Sequence, residues 1–186
     1  MLKLSKFVLG LLAVMLVTVF TPAYANGHGE KVVTLYRTAE NGTGDTVGTV
    51  TLKDTIYGLL LTPNLANLAP GMRGFHIHEN PSCSPAEKNG RTVPGGAAGG
   101  HFDPLDSNSH EGPYGDGHLG DLPPLYVAPD GTATTPVLAP RLRLRFVRNR
   151  AVMVHLRGDN FSDEPVALGG GGPRSVCGVI SRQLGS

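Results

Sequence analysis

Turn chemistry interrupts this chain too often for long helices: 26 glycines and 15 prolines stand among its 186 residues. Relative to alanine, proline inside a helix costs about 3 kcal/mol and glycine about 1 kcal/mol, so a helical bundle is disfavoured. Between the turns lie short runs with apolar residues at alternate positions, the period of a half-buried strand. Residues 32–36, 47–52, 56–61, 74–78, 125–127, 132–137, 151–156 and 176–180 are such runs. Pro129-Asp130-Gly131 reads as a hairpin turn between the fifth and the sixth. Eight strands with turn signals between them predict an all-β fold, a sandwich or barrel. The 40% apolar content suits one ordinary core, and no repeat or internal boundary divides residues 26–186.

The first 25 residues are a separate object. Lys3 and Lys6 precede an apolar run over residues 7–20, and Ala23-Tyr24-Ala25 supplies the small residues that a signal peptidase reads. The run is shorter than the roughly 20 apolar residues of a spanning helix. The expectation is a secretory signal over residues 1–25, cleaved after Ala25, and a single domain over 26–186 with no membrane span. Export places that domain in an oxidising compartment. Cys83 and Cys177 are the only cysteines, so a disulfide has one connectivity, and two buried thiols are the alternative. A formal net charge of +1 makes no case for nucleic acid as a partner.

Two stretches break the strand rhythm. Residues 80–124 are dense in Gly, Pro, His and Asp, and residues 157–174 contain four consecutive glycines at 169–172. Loops of this length are usually functional or disordered, and most of the seven histidines fall in or beside them. His28 stands apart and is assigned no role. His76 and His78 lie two apart in an expected strand, so both imidazoles face one way and can chelate copper or zinc. That pair is a weak motif by itself. His101, His110, His118 and Asp121 lie within 21 residues of a loop with few other anchors. Three imidazoles and a carboxylate complete a tetrahedral zinc shell, and such a loop gains order from the ion. His155 ends an apolar run, where a lone histidine reads as a core residue. Asp159 follows four positions later and can orient ring N–H groups. Over residues 141–146, Arg141, Arg143 and Arg145 alternate with Leu142, Leu144 and Phe146. The expectation is a solvated arginine face with the apolar three packed inward, a surface for polyanions being the alternative.

With their neighbours, these residues resemble the copper/zinc superoxide dismutases of the secreted bacterial kind, over about residues 32–180. The resemblance is carried by Gly74-Phe75-His76-Ile77-His78-Glu79, Ala98-Gly99-Gly100-His101-Phe102-Asp103-Pro104 and Gly112-Pro113-Tyr114. It continues through Gly117-His118-Leu119-Gly120-Asp121-Leu122-Pro123, Gly158-Asp159-Asn160, residues 168–172 and Arg174-Ser175-Val176-Cys177-Gly178-Val179-Ile180, all in the family's order. It implies an eight-stranded Greek-key sandwich or flattened barrel with two long functional loops. It implies His76, His78, His101 and His155 as copper ligands, and His101, His110, His118 and Asp121 as zinc ligands, His101 bridging the two.

In the same way Asp159 is implied to hydrogen-bond a ligand of each metal. Arg174 is implied to stand at the copper channel and to share catalysis with His101, and Cys83 and Cys177 to form the disulfide. The implied activity converts superoxide, a small anion, to O2 and hydrogen peroxide by alternating Cu(II) and Cu(I), with one copper and one structural zinc per subunit. A non-catalytic exported copper/zinc-binding protein would keep the histidines and have no need of Arg174. The secreted bacterial kind implies the periplasm, or the outside of the cell, and a homodimer is left open. Two departures stand out: Arg73, where many members carry a histidine, and the unusually basic segment 141–150.

Overall fold

The computed structural model describes residues 29–182; the expected signal over residues 1–25 and His28 lie outside the described residues. The strands are β1 (Glu30–Ala39), β2 (Gly42–Thr55), β3 (Gly58–Leu65), β4 (Gly71–Arg73), β5 (Phe75–His78) and β6 (Ala86–Lys88). They continue as β7 (Arg91–Val93), β8 (Leu125–Val127), β9 (Val137–Ala139), β10 (Arg150–His155) and β11 (Arg174–Ile180), with one short helix, α1 (Leu144–Val147). Seven strands form one curled antiparallel sheet in the order β5-β10-β11-β1-β2-β3-β9. A separate pair, β4–β8, adds Leu125 and Val127 to the same core. The result is the all-β flattened barrel expected from the turn-punctuated pattern. The pair β6–β7 is a small hairpin inside the long loop 80–124. No helix among the described residues is long and apolar enough to cross a membrane.

Alternation builds the core. Leu35, Val50, Leu52, Leu59, Leu61, Phe75 and Ile77 are fully buried, and each such side chain contributes about 1.5–3 kcal/mol on leaving water. On β10, Val152 and Val154 join this interior, while Ala151 and Met153 pack outward with Cys83, Ala98 and Cys177. The outer face of β10 is therefore covered rather than solvated, which is why its sequence reads as a continuous apolar run.

Three local expectations are corrected. The fourth run forms β5, with the unexpected β4 just before it, and the sixth reduces to β9 plus an isolated bridge between Ala133 and Leu65. The turn at 129–131 forms, with Ala128 N–H donating to Thr132 O, but no hairpin follows it. Its flanking strands pair elsewhere, β8 with β4 and β9 with β3, because distant partners and core burial outweigh a local reversal. The arginine alternation does not form a strand either. Asp54 Oδ1 accepts the Leu144 N–H at 2.7 Å, and α1 begins there. Leu142 and Leu144 are buried as expected, but the helical turn carries Phe146 to the surface at 39% exposure.

Cys83 and Cys177 form a disulfide with Cα atoms 5.7 Å apart, fastening the loop 80–124 to β11 across 94 residues of chain. Closing so long a loop restricts the unfolded state by about 4–5 kcal/mol in the chain-entropy model. The double variant C83S/C177S should therefore lose about that much in denaturant unfolding of the metal-free protein. An unchanged midpoint would contradict it.

Candidate metal centre

The period of two on β5 settles where the first histidines go. Phe75 and Ile77 enter the core, so His76 and His78 project from the barrel's outer side. The β5–β10 register sets Met153 opposite His76 and Ala151 opposite His78. His155, next in the outward series after Ala151 and Met153, joins the same face. β5 is an edge of the sheet, and an uncovered edge is a liability. Here the long loop covers it: His101 bridges to His78 and Asp121 to His76. Ile77 N–H donates to Gly120 O, Phe102 N–H to Ile77 O and Gly120 N–H to Phe102 O, each at 2.8 Å. A Cβ on Gly120 would lie 2.3 Å from Ile77 O, so the approach needs glycine. Docking the loop on this edge delivers His101 and Asp121 to the two outward histidines of β5.

All six histidines and Asp121 are buried. All but His118 fall into two overlapping groups, the ligand atoms of each lying within 4.8 Å of one another. One is His76, His78, His101 and His155; the other is His76, His101, His110 and Asp121. His118 stands just beside the second group, its Nδ1 3.5 Å from Asp121 Oδ1 and its ring 5.4 Å from that of His101. The sequence placed His76 on the copper side alone, whereas it also borders the second group, its ring stacked 3.9 Å from His101.

The residues fit metal ions on hydrogen-bonding grounds. His78 Nδ1 contacts Gly99 O at 3.1 Å and His155 Nδ1 contacts Gly172 O at 3.0 Å. A carbonyl only accepts, so both Nδ1 atoms carry the hydrogen. Both Nε2 atoms are then left with lone pairs, and they face each other at 3.3 Å. Two lone pairs at that distance repel unless a cation lies with them. Nδ1 of His76 is also buried without a hydrogen-bond partner, while Nδ1 of His110 and Oδ2 of Asp121 meet each other at 2.9 Å. Imidazole suits copper and zinc, and added carboxylate suits zinc.

Electrostatics divide the cluster. Burial, followed by the facing rings, holds His76 and His78 well below the usual histidine range, and burial holds His155 at about 4. Burial also lowers His101. Burial works against protonating His110 too, but its contacts with Asp121 and Asp159 lift it to about 9. Contact with Asp121 raises His118. Burial would raise Asp121 and Asp159, yet the surrounding rings keep both far below the usual carboxylate range. Asp159 joins the two sides, its Oδ2 2.7 Å from His76 Nε2 and its Oδ1 2.8 Å from His110 Nε2.

Arg174, half-buried at the start of β11, donates from Nη1 to Gly95 O at 2.6 Å and from Nη2 to Gly99 O. It lines a cavity of about 440 Å³ together with His78, His101, His155 and Lys88. The six histidines, Asp121, Asp159 and Arg174 thus come together here, whereas Cys83 and Cys177 lie apart in their disulfide. Sequence reasoning missed the supports. Glu79 Oε2 accepts Gly100 N–H at 2.8 Å, next to His101. Asp163 accepts His110 N–H and Leu168 N–H, each at 2.9 Å, fastening one long loop to the other. Glu79 was legible in its motif. The carbonyls of Gly95, Gly99 and Gly172 have no side-chain signal at all.

The family model for copper/zinc superoxide dismutase matches residues 46–180. A superoxide dismutase [Cu-Zn] of Haemophilus parainfluenzae is 60% identical over 142 residues, 75% of each chain. The copper/zinc superoxide dismutase of Brucella abortus superposes with a TM-score of 0.81 at 49% identity, covering 82% of this chain and 99% of its own. A monomeric copper, zinc superoxide dismutase of Salmonella enterica does so with a TM-score of 0.74 at 52% identity, covering 82% and 99%. Barrel, loops and histidine groups thus share one origin, and the chain belongs to the copper/zinc superoxide dismutase family.

Proposed function

We propose that the buried cluster divides the two metals of this superoxide dismutase so that His76, His78, His101 and His155 hold copper. His101, His110, His118 and Asp121 hold zinc, and His101 offers one ring nitrogen to each. The observation that carries this division is the overlap of the two four-residue groups, which share His76 and His101; Asp159 engages one ring nitrogen of His76 at 2.7 Å, which leaves His101 as the ring for both ions. Bound copper supplies the one-electron couple that dismutation needs, and zinc a charge with no redox chemistry of its own.

The chain's own residues do the rest. Arg174 is a fixed cation on the cavity wall, its fork held by two carbonyls, and it docks the superoxide anion. His101 Nδ1 lies on the zinc side, 2.9 Å from Asp121 Oδ1, so proton exchange would fall to its Nε2. Asp159 orients His76 and His110 together, the role of a carboxylate standing behind metal ligands. A metal buffer would need neither this arginine nor its cavity.

Residues 1–25 act as a cleaved secretory signal, and residues 26–186 as the single exported domain of the periplasm. Supporting this are the Cys83–Cys177 disulfide, which persists in oxidising compartments, and the bacterial origin of the relatives. The Salmonella enterica relative is described as monomeric, and the monomer is preferred over the homodimer on that ground.

His155→Ala should remove copper binding and dismutase activity while leaving a folded, zinc-loaded barrel, read by metal analysis and circular dichroism. Full activity in that variant would break the ligand assignment. Activity should fall as ionic strength rises, and Arg174→Gln should lower it and flatten the salt slope; equal slopes for both proteins would remove Arg174 from substrate capture.

Proton counts should separate the two sides. Metal binds the unprotonated ring. His110, raised to about 9, is protonated at pH 7 in the metal-free protein. Zinc should therefore displace at least one proton there, and its affinity should rise with pH up to about 9 and fall on acidification. His76, His78 and His155 are lowered and already neutral, so copper should displace none from them. Calorimetry in buffers of different ionisation heat checks this with each metal added alone to the metal-free protein, so that the proton His101 loses on bridging is not counted, and equal proton release for both metals would count against it.

A further inference from the structure

The arginine-rich segment 141–150 is the sequence feature that dismutation leaves unused. Four of its five arginines, Arg141, Arg143, Arg148 and Arg150, are half-buried, and Arg145 is exposed. Arg143 Nη1 donates to Leu142 O at 2.8 Å. Arg150 lies 4.1 Å over the Phe102 ring and donates to Glu79 O. Arg141 reaches further. It stands two residues beyond β9, half-buried, and donates from Nη2 to Gly117 O at 2.6 Å and from Nη1 to His118 O at 3.4 Å.

His118 depends on such support more than the other histidines. Its ring has the longest carboxylate contact of the cluster, 3.5 Å to Asp121, against 2.7–2.9 Å for His76, His101 and His110. Its backbone is what is held: His118 N–H donates to Ser109 O at 2.9 Å, and His118 O accepts from Asp121 N–H at 3.3 Å. Gly117 is pressed so closely on the returning chain that a Cβ there would lie 2.3 Å from Ser109 O. The pair 117–118 is thus a tight corner, and Arg141 ties it to the barrel.

We propose that Arg141 is a positioning residue for zinc: its fork, spanning two successive carbonyls, holds the His118 imidazole beside Asp121 in readiness for the ion. Lysine lacks the planar fork that meets the two acceptors with separate nitrogens. The inference rests on the reading of His118 as a zinc ligand.

The test compares wild type with R141Q, R141K, R143Q and H118A. It follows zinc release from the holoprotein to a chelator, and the absorption spectrum of protein carrying Co(II) in place of zinc. R141Q should speed zinc release about tenfold, the low end for loss of a group supporting a metal ligand, and shift the cobalt bands. R141K should fall between, and R143Q should match wild type. The copper absorption of R141Q should not move. H118A should release zinc fastest. Wild-type zinc retention in H118A would overturn the ligand reading and the proposal with it. Loss in H118A with wild-type behaviour in R141Q would overturn the positioning role alone. So would copper bands that shift as far as the cobalt bands, since the effect would then be global. If R141Q does not fold, the comparison of R141K with R143Q decides on the same readouts.

Discussion

Six imidazoles and two carboxylates share one dry space between the barrel and its loops, and several of their unshared pairs point at one another. The 3.3 Å approach of His78 Nε2 to His155 Nε2 is the plainest instance. Burying such groups without partners costs free energy that no apolar contact nearby returns. Two cations placed among them turn that cost into binding, and because the loop residues 101–121 carry four of the seven ligands, binding becomes order in the loop. On the zinc side the metal-free protein already neutralises part of the charge, with His110 protonated between two ionised aspartates. On the copper side it cannot, since burial keeps those rings neutral.

The fold exists in a form that presents this cluster on its outer face. An edge strand with two outward histidines needs cover, and the covering segment brings four further ligands with it. Asp159 and Asp163 then hold the second loop against the first. That second loop ends in Gly172, whose carbonyl fixes the His155 tautomer, and in Arg174, whose charge faces the cavity. Zinc side, copper side and substrate-docking arginine are therefore parts of one hydrogen-bonded unit. The disulfide closes the same unit from the far side of β10.

Much of this was legible from residues alone because it depends on period and on donor chemistry. Alternation put His76 and His78 on one face of a strand. Side-chain type and spacing marked His101, His110, His118 and Asp121. Long-range pairing was not legible in the same way. The turn at 129–131 is local and formed, yet β8 and β9 chose partners some fifty or more residues away. The arginine segment failed for a related reason. Its alternation is a strand pattern, but a carboxylate from a distant strand, Asp54, starts a helical turn at Leu144. Backbone acceptors such as Gly99 O leave no mark in a side-chain pattern. Nothing in period or composition shows that Arg141 reaches Gly117 and His118.

The central claim is spatial and can be examined directly. Crystals loaded with copper and zinc, with diffraction recorded on both sides of each element's absorption edge, would locate and identify the ions separately. The account predicts two distinct peaks per chain, with the His101 ring between them and one nitrogen directed to each. A single ion, or a His101 ring in contact with one peak only, would contradict it.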